Sequence, residues 1–587
     1  MRALFLLAPA LLALSAPPAG PAQKASDAAA RLHAFLEEAW EEDLRADPLL
    51  ATSVGDHRYD DRLPSVAREE LTRQEAAARR RLDALRAIDR AALSPADRVN
   101  YDMYARQLAN TVAFHEHRAW RIPINADSGF HTGFAHLPRE MRFAGVRDYE
   151  NYIARLRAFP AYVRQQVEAM REGLRSGFTL PRVVLEGYDS TLRPHVVKAA
   201  EDSIFFAPFT TFPAAVPAGE HDRLRAAGRE AVMQGAVAGY GELLDFMTRE
   251  YLPGARPTTA ASDMPGGRPY YEQRVRSFTT LAVTPDEVHQ TGLREVARIR
   301  AEMLDVMRKT GFTGELTAFL EMLRTDKRFF ATTPDQLLKE AAWVAKRIDG
   351  QLPRLFGRLP RLPYGVEPVP AHIAPKYTAG RYVPAPVGGT RAGTYWVNTY
   401  ALESRPIWAL EALTLHEAVP GHHLQIALQQ ELTGLPRFRT VADVDAFVEG
   451  WALYAERLGL EAGLYQDPYA DFGRLTYEMW RACRLVVDTG LHARGWTRQQ
   501  ALDYMAAHTA LSRHEIRTEV DRYISWPAQA LAYKTGELKI RQLRARAEKE
   551  LGPRFDVRAF HDAVLQSGAV PLDVLEGQVD DFIAAAR

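Results

Sequence analysis

Apolar positions recur with a helical period along most of the chain. One run places apolar residues at i, i+3, i+4 and i+7, on a single helix face: Tyr149, Tyr152, Ile153 and Leu156. Segments that begin at residues 94, 284 and 333 read Ser-Pro or Thr-Pro with an acid close behind. Such segments are typical of helix starts, because Ser or Thr caps the first turn, Pro fits its first position and an acid favours the positive end of the dipole. The pattern predicts a mainly α protein.

The helical pattern is interrupted between residues 360 and 400. Seven prolines lie between Pro360 and Pro386, and residues 394–400 are rich in β-branched and aromatic side chains. Such a run is typical of a strand. We therefore expect a small β element here, and the strand could pair with an extended peptide as an added strand. Asn398 would then lie near the substrate.

The amino terminus has the layout of a signal peptide. Arg2 precedes an apolar stretch over residues 3–16, and small residues and prolines follow. We expect residues 1–22 to be a signal peptide and the mature protein to be exported, periplasmic or extracellular, soluble and without a membrane span. No cysteine lies near residue 22, so we also expect that the protein is not a lipoprotein.

A second break suggests how the chain divides. Residues 252–269 are rich in Pro, Gly and Thr, which is typical of a linker. We expect an N-terminal helical lobe over residues 23–260 and a second helical lobe over residues 261–587, with a central cleft between them in one enzyme unit. The sequence does not predict the oligomeric state.

The amino-acid composition limits the partners and the kinds of metal site that can be expected. Lys plus Arg and Asp plus Glu both total 74, so the net charge is zero and nucleic acid is not an expected partner. The chain has one cysteine, Cys483, so it cannot form an internal disulfide or a thiolate metal cluster. A metal site would therefore use His, Asp and Glu.

The candidate chemistry lies in the segment LTLHEAVPGHHLQ, residues 413–425. Neutral imidazole is a good zinc ligand, and Glu417 beside His416 is placed to act as a general base. In a regular helix, His416 and His422 would point about 120° apart and lie about 9 Å apart along the axis. Pro420 and Gly421 permit a local bulge that returns His422 to His416. We interpret the segment as an expanded HExxH motif, with His423 as the alternative second ligand.

A third ligand is expected on the next helical segment. Val444, Phe447, Val448 and Trp451 form an apolar stripe, and Glu449 lies beside it. A carboxylate at a buried seam needs a partner, which a metal ion provides. Glu456 is one heptad later on nearly the same face. It is the alternative ligand, or a group that holds a ligand histidine.

These motifs carry a family resemblance. The segments HEAVPGHHLQ, EGWALYAE, GLHARGWT and PAQALAYKTGE stand in the order of a large bacterial family of unknown function, many of whose members are exported. HExxH with a later helix-borne Glu is also similar to zinc oligopeptidases of the thimet oligopeptidase and angiotensin-converting enzyme type. The resemblance implies a two-lobed helical zinc-peptidase-like fold. It also implies Zn²⁺ on His416, His422 and Glu449, with Glu417 as the base.

The resemblance also implies roles for C-terminal residues. Tyr533 matches a tyrosine that stabilises the tetrahedral oxyanion in the oligopeptidases, and His492 is the second candidate for that donor. Arg522 and Lys534 are candidates for holding a terminal carboxylate of the substrate. For these residues the sequence alone also leaves structural roles open: a packed helix tyrosine for Tyr533, a helix end for His492 and an ion pair for Arg522.

The predicted function is zinc-dependent hydrolysis of amide bonds in short peptides. One alternative is an exported zinc amidase or esterase that acts on non-peptide substrates. The other is a non-catalytic, metal-containing peptide-binding protein, although such a protein has no use for Glu417 as a base.

Overall fold

The computed structural model describes residues 21–126, 128–371, 374, 377–385 and 391–587. Most of the predicted signal peptide, residues 1–20, lies outside the described residues. The first half of the chain is helical: α1 (Pro21–Ala46), α2 (Pro48–Ser53), α3 (Arg68–Arg86), α4 (Pro95–Glu116), α5 (Phe130–Phe134), α6 (Leu137–Glu140), α7 (Val146–Ser176), α8 (Ala218–Ala231), α9 (Ala238–Phe246) and α10 (Leu252–Gly254). Helices α8, α9 and α10 run on as one, through π-helical segments at Val232–Val237 and Met247–Tyr251.

The second half combines helices with three strands. The helices before the sheet are α11 (Gly267–Thr279), α12 (Pro285–Lys309), α13 (Leu316–Thr325), α14 (Pro334–Asp349) and α15 (Leu352–Leu355). The strands are β1 (Tyr364–Pro368), β2 (Gly380–Val383) and β3 (Gly393–Val397). The helices after them are α16 (Leu410–Glu417), α17 (His422–Gln430), α18 (Asp445–Glu461), α19 (Pro468–Ala493), α20 (Arg498–His508), α21 (Arg513–Ser525), α22 (Ala532–Leu551), α23 (Val557–Leu565) and α24 (Leu572–Ala586).

The predicted helix starts are confirmed by their caps. The Ser94 hydroxyl accepts a hydrogen bond from the Asp97 amide at the start of α4. Thr284 and Glu287 form a reciprocal capping box at the start of α12. The Thr333 hydroxyl caps α14. These caps satisfy amides that the first helical turn leaves without partners.

The sheet has the order β1-β3-β2, with β1 parallel and β2 antiparallel to β3. The predicted strand over residues 394–400 is therefore confirmed as β3, somewhat shorter at its end. The expectation that this strand accepts a peptide as an added strand is wrong, because β3 lies between two others and has no free edge. Among the described residues, β2 is the edge strand that faces the helix α16.

One large buried core joins the ends of the chain. It extends from Ala28 in α1 to Ile583 in α24 and includes Trp451 and Cys483 in the second half. Such continuity gives the elements near the candidate site a rigid support. The mainly α fold class with a small β element is confirmed. The division at residue 260 stays a prediction. In the described part of the chain, no helix has the length and apolar character needed to cross a membrane.

Candidate metal centre

The HEAVPGH segment breaks its helix rather than bulging it. Helix α16 ends at Glu417, and α17 begins at His422. Between them Gly421 passes so close to α16 that a Cβ atom there would lie 2.0 Å from the carbonyl oxygen of His416. The break brings the imidazoles of His416 and His422 together, with ring centroids 4.7 Å apart and planes at 85°. A glycine at 421 is therefore the local requirement for pairing these two histidines.

Replacing Gly421 with alanine tests this requirement. Because the new methyl group would overlap backbone oxygens, we expect Gly421→Ala to lower the free energy of unfolding by about 1–3 kcal/mol, as overpacking does, and to weaken zinc binding. Gly241→Ala in α9 is the matched control, since a Cβ there meets nothing within 4 Å. Chemical denaturation and zinc titration measure both effects. Unchanged stability and zinc affinity in Gly421→Ala would contradict the assigned close contact.

Helix α18 supplies a carboxylate to the two histidines. Glu449 Oε2 lies 3.4 Å from His416 Nε2 and 3.6 Å from His422 Nε2. Burial raises the pKa of Glu449, but the two histidines outweigh it and hold that pKa well below its usual range. Glu449 Oε2 and His422 Nδ1 are buried without a hydrogen-bond partner of good geometry among the described residues. Buried polar atoms of this kind call for a partner such as a metal ion.

The donor set fits a zinc ion. Tetrahedral zinc with bonds of about 2.0–2.2 Å separates its ligand atoms by about 3.3–3.6 Å. The 3.4 and 3.6 Å distances from Glu449 to the two imidazoles fall in that range. The three side chains are imidazole, imidazole and carboxylate, a set typical of catalytic zinc with an open fourth position. His416, His422 and Glu449 are therefore the residues that would hold the metal.

Glu456 lies behind His416. Its Oε1 is 2.8 Å from His416 Nδ1 and 3.6 Å from a guanidinium nitrogen of Arg481. When Nδ1 donates its proton to Glu456, Nε2 keeps a free lone pair for a metal. Burial lowers the pKa of His416, but Glu449 and Glu456 outweigh burial and raise it to about 9. Of the two glutamates weighed from the sequence, Glu449 therefore lies between the histidines and Glu456 orients one of them.

His423 turns away from this group. Its Nδ1 lies 2.9 Å from the Tyr382 hydroxyl of β2, and its ring lies against Tyr364 of β1. Burial lowers its pKa to about 4. His423 thus links α17 to the sheet, and His422 is the histidine that meets His416.

Glu417 is anchored by the edge strand. Its Oε2 accepts a hydrogen bond of 2.8 Å from the backbone N–H of Tyr382. One ligand atom each from His416, Glu417 and His422 lie within 4.8 Å of one another. This bond fixes the carboxylate near the histidines, where it can reach a water molecule on a metal held there.

A close helix crossing places Tyr533 at the site. A Cβ on Gly536 of α22 would lie 1.8 Å from the carbonyl oxygen of Ala446 in α18, so the two backbones nearly touch. Tyr533 lies one turn before Gly536, and the charge of Glu449 adds to burial in raising the pKa of the tyrosine. The Arg484 guanidinium lies 4.1 Å from the centre of its ring.

Two residues expected to bind a substrate carboxylate have other partners. Lys534 is fully buried and forms ion pairs with Glu295, Glu478 and Glu537 at 2.8–3.2 Å. The expected role of Lys534 is therefore corrected, because its charge is neutralised inside the core. Arg522 pairs with Glu519 at 3.2 Å and donates to Gln529 at 2.8 Å, which assigns it the structural ion pair left open by the sequence.

His492 and Asn398 are also structural. His492 is buried; its Nδ1 accepts from the Ala261 amide and its Nε2 donates to the Tyr523 carbonyl, both at 2.9 Å. With both ring nitrogens in use, it is not available as an oxyanion donor. The Asn398 amide donates to three loop carbonyls, those of Ala374, Tyr377 and Thr378. The expected roles of His492 as an oxyanion donor and of Asn398 near the substrate are therefore corrected, because the polar groups of both side chains are already bonded to the backbone.

Sequence reasoning missed three charged residues of the site. Arg381 of β2 has an exposed side chain. Partial loss of hydration of its guanidinium lowers its pKa, but Tyr377 and Glu417 outweigh that effect and raise the pKa. Asp443 lies just before α18 and Asp445 is its first residue; burial and nearby carboxylates, Glu449 among them, raise both pKa values, that of Asp445 to about 6. For Arg381, the sequence feature that could have revealed it is the short alternating segment GRYV, in which Arg381 points away from the buried face of the strand.

Two cavities flank these elements. One encloses about 600 Å³ including its mouth, is mainly apolar and is lined by residues that include Asn398 and Leu413. The other encloses about 840 Å³ including its mouth and lies between segments from both halves of the chain, lined by residues such as Phe114, Arg274 and Trp526. Arg274 lines the second cavity, and its charge acts to lower the pKa of Asp445.

The fold and site define a mainly helical protein with a buried histidine–glutamate group able to hold a metal. The chain belongs to a family described as "Bacterial protein of unknown function (DUF885)", whose model matches residues 48–579. No protein of curated function matches the chain. Family membership agrees with the motif resemblance and leaves the reaction to be proposed.

Two solved structures share the fold. One is described as a "putative lipoprotein" from Colwellia psychrerythraea, with a TM-score of 0.88 and 27% identity over 95% of this chain and 100% of that one. The other, from Shewanella oneidensis, is described as a "putative lipoprotein of unknown function", with a TM-score of 0.68 and 19% identity over 95% and 99% of the two chains. These descriptions overturn the expectation that the protein is not a lipoprotein, which rested only on the absence of a cysteine near residue 22.

Proposed function

We propose that the protein is a zinc-dependent metallohydrolase that cleaves amide bonds in short peptides. The observation that supports this most strongly is the placement of Glu449 Oε2 at 3.4 and 3.6 Å from two imidazole nitrogens, with Glu417 beside them. A zinc ion bound there would act as a Lewis acid on a substrate carbonyl and on water. A non-catalytic binding protein would need the three ligands but not the anchored base.

Glu417 carries the proton transfers in this proposal. Its Oε2 is held by the Tyr382 amide, which fixes the side chain and leaves the carboxylate able to accept a proton. Glu417 takes the proton of the attacking water and then gives it to the leaving amine nitrogen, so that the C–N bond breaks without releasing an amide anion. The other product keeps the oxygen and the second hydrogen of the water as a carboxylic acid, which then loses that proton to the amine or to solvent.

Tyr533 is the proposed donor to the oxyanion. Two observations support this role: α22, which carries Tyr533, crosses α18 closely, and the charge of Glu449 acts on the phenol. A donor aimed at developing charge acts mainly on the transition state rather than on substrate binding.

Replacing Tyr533 with phenylalanine tests this role. We expect kcat to fall by about 10²- to 10³-fold, the usual effect of losing one oxyanion donor, while KM and zinc content change little. Tyr101→Phe in α4 is the matched control and should keep full activity, because no hydrogen bond of the Tyr101 hydroxyl is found among the described residues. Steady-state kinetics with one peptide measure the effect. A kcat within threefold of wild type would remove Tyr533 from the mechanism.

The surroundings favour a short peptide as the substrate. Charges of both signs lie near the metal ligands, Arg381 close to Glu417 and the pair Asp443 and Asp445 close to Glu449. The edge strand β2 offers backbone groups, and the cavities offer apolar walls. The experiment is a mass-spectrometric screen of a peptide library with the zinc-loaded protein. Cleavage of ester or non-peptide amide substrates, with all peptides left intact, would favour the alternative amidase or esterase.

A further inference from the structure

Arg381, a cation near the site, forms no ion pair with a carboxylate in the described part of the chain. Arg381 lies on the exposed side of β2, opposite the buried Tyr382, and its guanidinium is 5.9 Å from the centre of the Tyr377 ring. The charge of Glu417 and the phenol of Tyr533 both act on it. The next residue in β2, Tyr382, donates its amide hydrogen to Glu417, so Arg381 lies beside the strand residue that holds the proposed base.

The other cations near Tyr533 are already neutralised. Arg484 pairs with Glu519 at 2.8 Å, and Arg522 shares the same carboxylate. Arg481 pairs with Glu456, and Lys534 is enclosed by three glutamates: Glu295, Glu478 and Glu537. Each of these charges is used in holding helices together. None of them is available to a substrate without breaking a buried pair, which is costly.

Arg381 differs from this group in its partners. Among the described residues it forms no ion pair with a carboxylate, and its hydrogen-bond partner is Tyr377. Residues 372–376 and 386–390, which precede and follow β2 in the sequence, include no Asp or Glu. A guanidinium carries five N–H donors, so its bond to Tyr377 leaves others unused among the described residues.

We propose that Arg381 binds a carboxylate of the substrate, which is the α-carboxylate of a short peptide or the side chain of an acidic residue. This proposal rests on the proposed function and specifies the substrate class. A guanidinium presents parallel N–H donors that match a carboxylate, and such charge-assisted pairs are among the stronger hydrogen bonds. An α-carboxylate held this close to Glu417 confines cleavage to bonds near the C-terminus of the peptide.

Binding of matched peptides tests the proposal without depending on turnover. The probes are an acetylated tripeptide with a free C-terminus, the same tripeptide as its C-terminal amide, and an amide whose last residue is glutamate. Calorimetry with the zinc-loaded protein gives Kd for wild type, Arg381→Gln and Arg381→Lys. The matched control is Arg45→Gln, an exposed arginine in the last turn of α1 with no ion pair among the described residues.

We expect wild type and Arg45→Gln to bind the free acid about 10- to 100-fold more tightly than its amide. Arg381→Gln should lose this preference while binding the amide unchanged, and Arg381→Lys should regain part of it. A preference confined to the glutamate amide supports carboxylate binding and assigns the side chain as its source. Equal binding of all three peptides by wild type, or a carboxylate preference that survives in Arg381→Gln, overturns the proposal.

The kinetic result separates this proposal from the proposed function. If Arg381 only supported Glu417, Arg381→Gln would lower kcat equally for acid and amide peptides, and the proposal would be overturned while hydrolysis stood. If no peptide is cleaved but the acid preference depends on Arg381, the proposed hydrolysis fails and carboxylate binding stands.

Discussion

Glu417→Gln should retain its zinc and lose peptide hydrolysis. The glutamine oxygen can still accept the hydrogen bond from the Tyr382 amide, so the fold and the metal ligands should be preserved. The amide cannot take the proton of the attacking water, and general acid–base catalysis contributes about 10²- to 10⁴-fold to such reactions. We therefore expect kcat to fall by that factor, measured by the release of amino groups from a cleaved peptide.

The matched control for this variant is Glu69→Gln. Glu69 is an exposed glutamate in the first turn of α3, far along the chain from the motif, and its replacement should leave kcat unchanged. Metal analysis of both variants accompanies the kinetics. If Glu417→Gln keeps more than a tenth of the wild-type kcat with zinc bound, Glu417 is not the base.

Removing Glu449 should have the largest effect on the metal. Its Oε2 lies 3.4 Å from His416 Nε2 and 3.6 Å from His422 Nε2, so Glu449→Ala leaves two imidazoles of the proposed ligand set to hold the ion. Outer groups that only orient a ligand change metal affinity by about 10- to 100-fold. We expect Glu456→Gln to fall in that range and Glu449→Ala to exceed it, with activity lost in parallel.

Competition with a chelator measures both zinc affinities. Unfolding of the zinc-free proteins is the control, since each change removes a buried charge and alters stability by itself. A greater loss of zinc in Glu456→Gln than in Glu449→Ala would exchange the roles of the two glutamates.

The sequence predicted the local parts of this molecule well. The helix starts at Ser94 and Thr284 depend on residues within one turn, and so their caps follow directly from the pattern. The segment HEAVPGH contains its own helix breaker, so the approach of His422 to His416 could be anticipated, although the chain achieves it by ending the helix rather than by bulging it. Interactions between residues close in the sequence were therefore enough to predict this part of the site.

Non-local pairing could not be predicted in the same way. Lys534 and His492 look reactive in the sequence, but their partners include Glu295 and Ala261, more than 200 residues away. Burial and those partners turn both into structural groups. The order of strands in the sheet also depends on contacts that hydrophobic periodicity does not reveal. The sequence therefore predicted β3 as the strand with a free edge, whereas β2 lies at an edge of the sheet.

Arg381 illustrates the opposite error. The strand β2 is four residues long and follows a proline-rich stretch, so no sequence pattern distinguished its arginine from a surface charge. Its significance comes from Glu417 and Tyr533, which reach it from α16 and α22. The role of a single exposed cation can be inferred only when the positions of the helices and strands around it are known.

Every proposed step depends on a zinc ion held by His416, His422 and Glu449. Anomalous X-ray scattering at the zinc absorption edge, from crystals of the zinc-loaded protein, measures this most directly. The predicted result is one strong peak about 2.0–2.2 Å from His416 Nε2, His422 Nε2 and a carboxylate oxygen of Glu449. A peak bound to His423 or Glu456 instead, or no peak among His416, His422 and Glu449, would contradict the proposed metal centre.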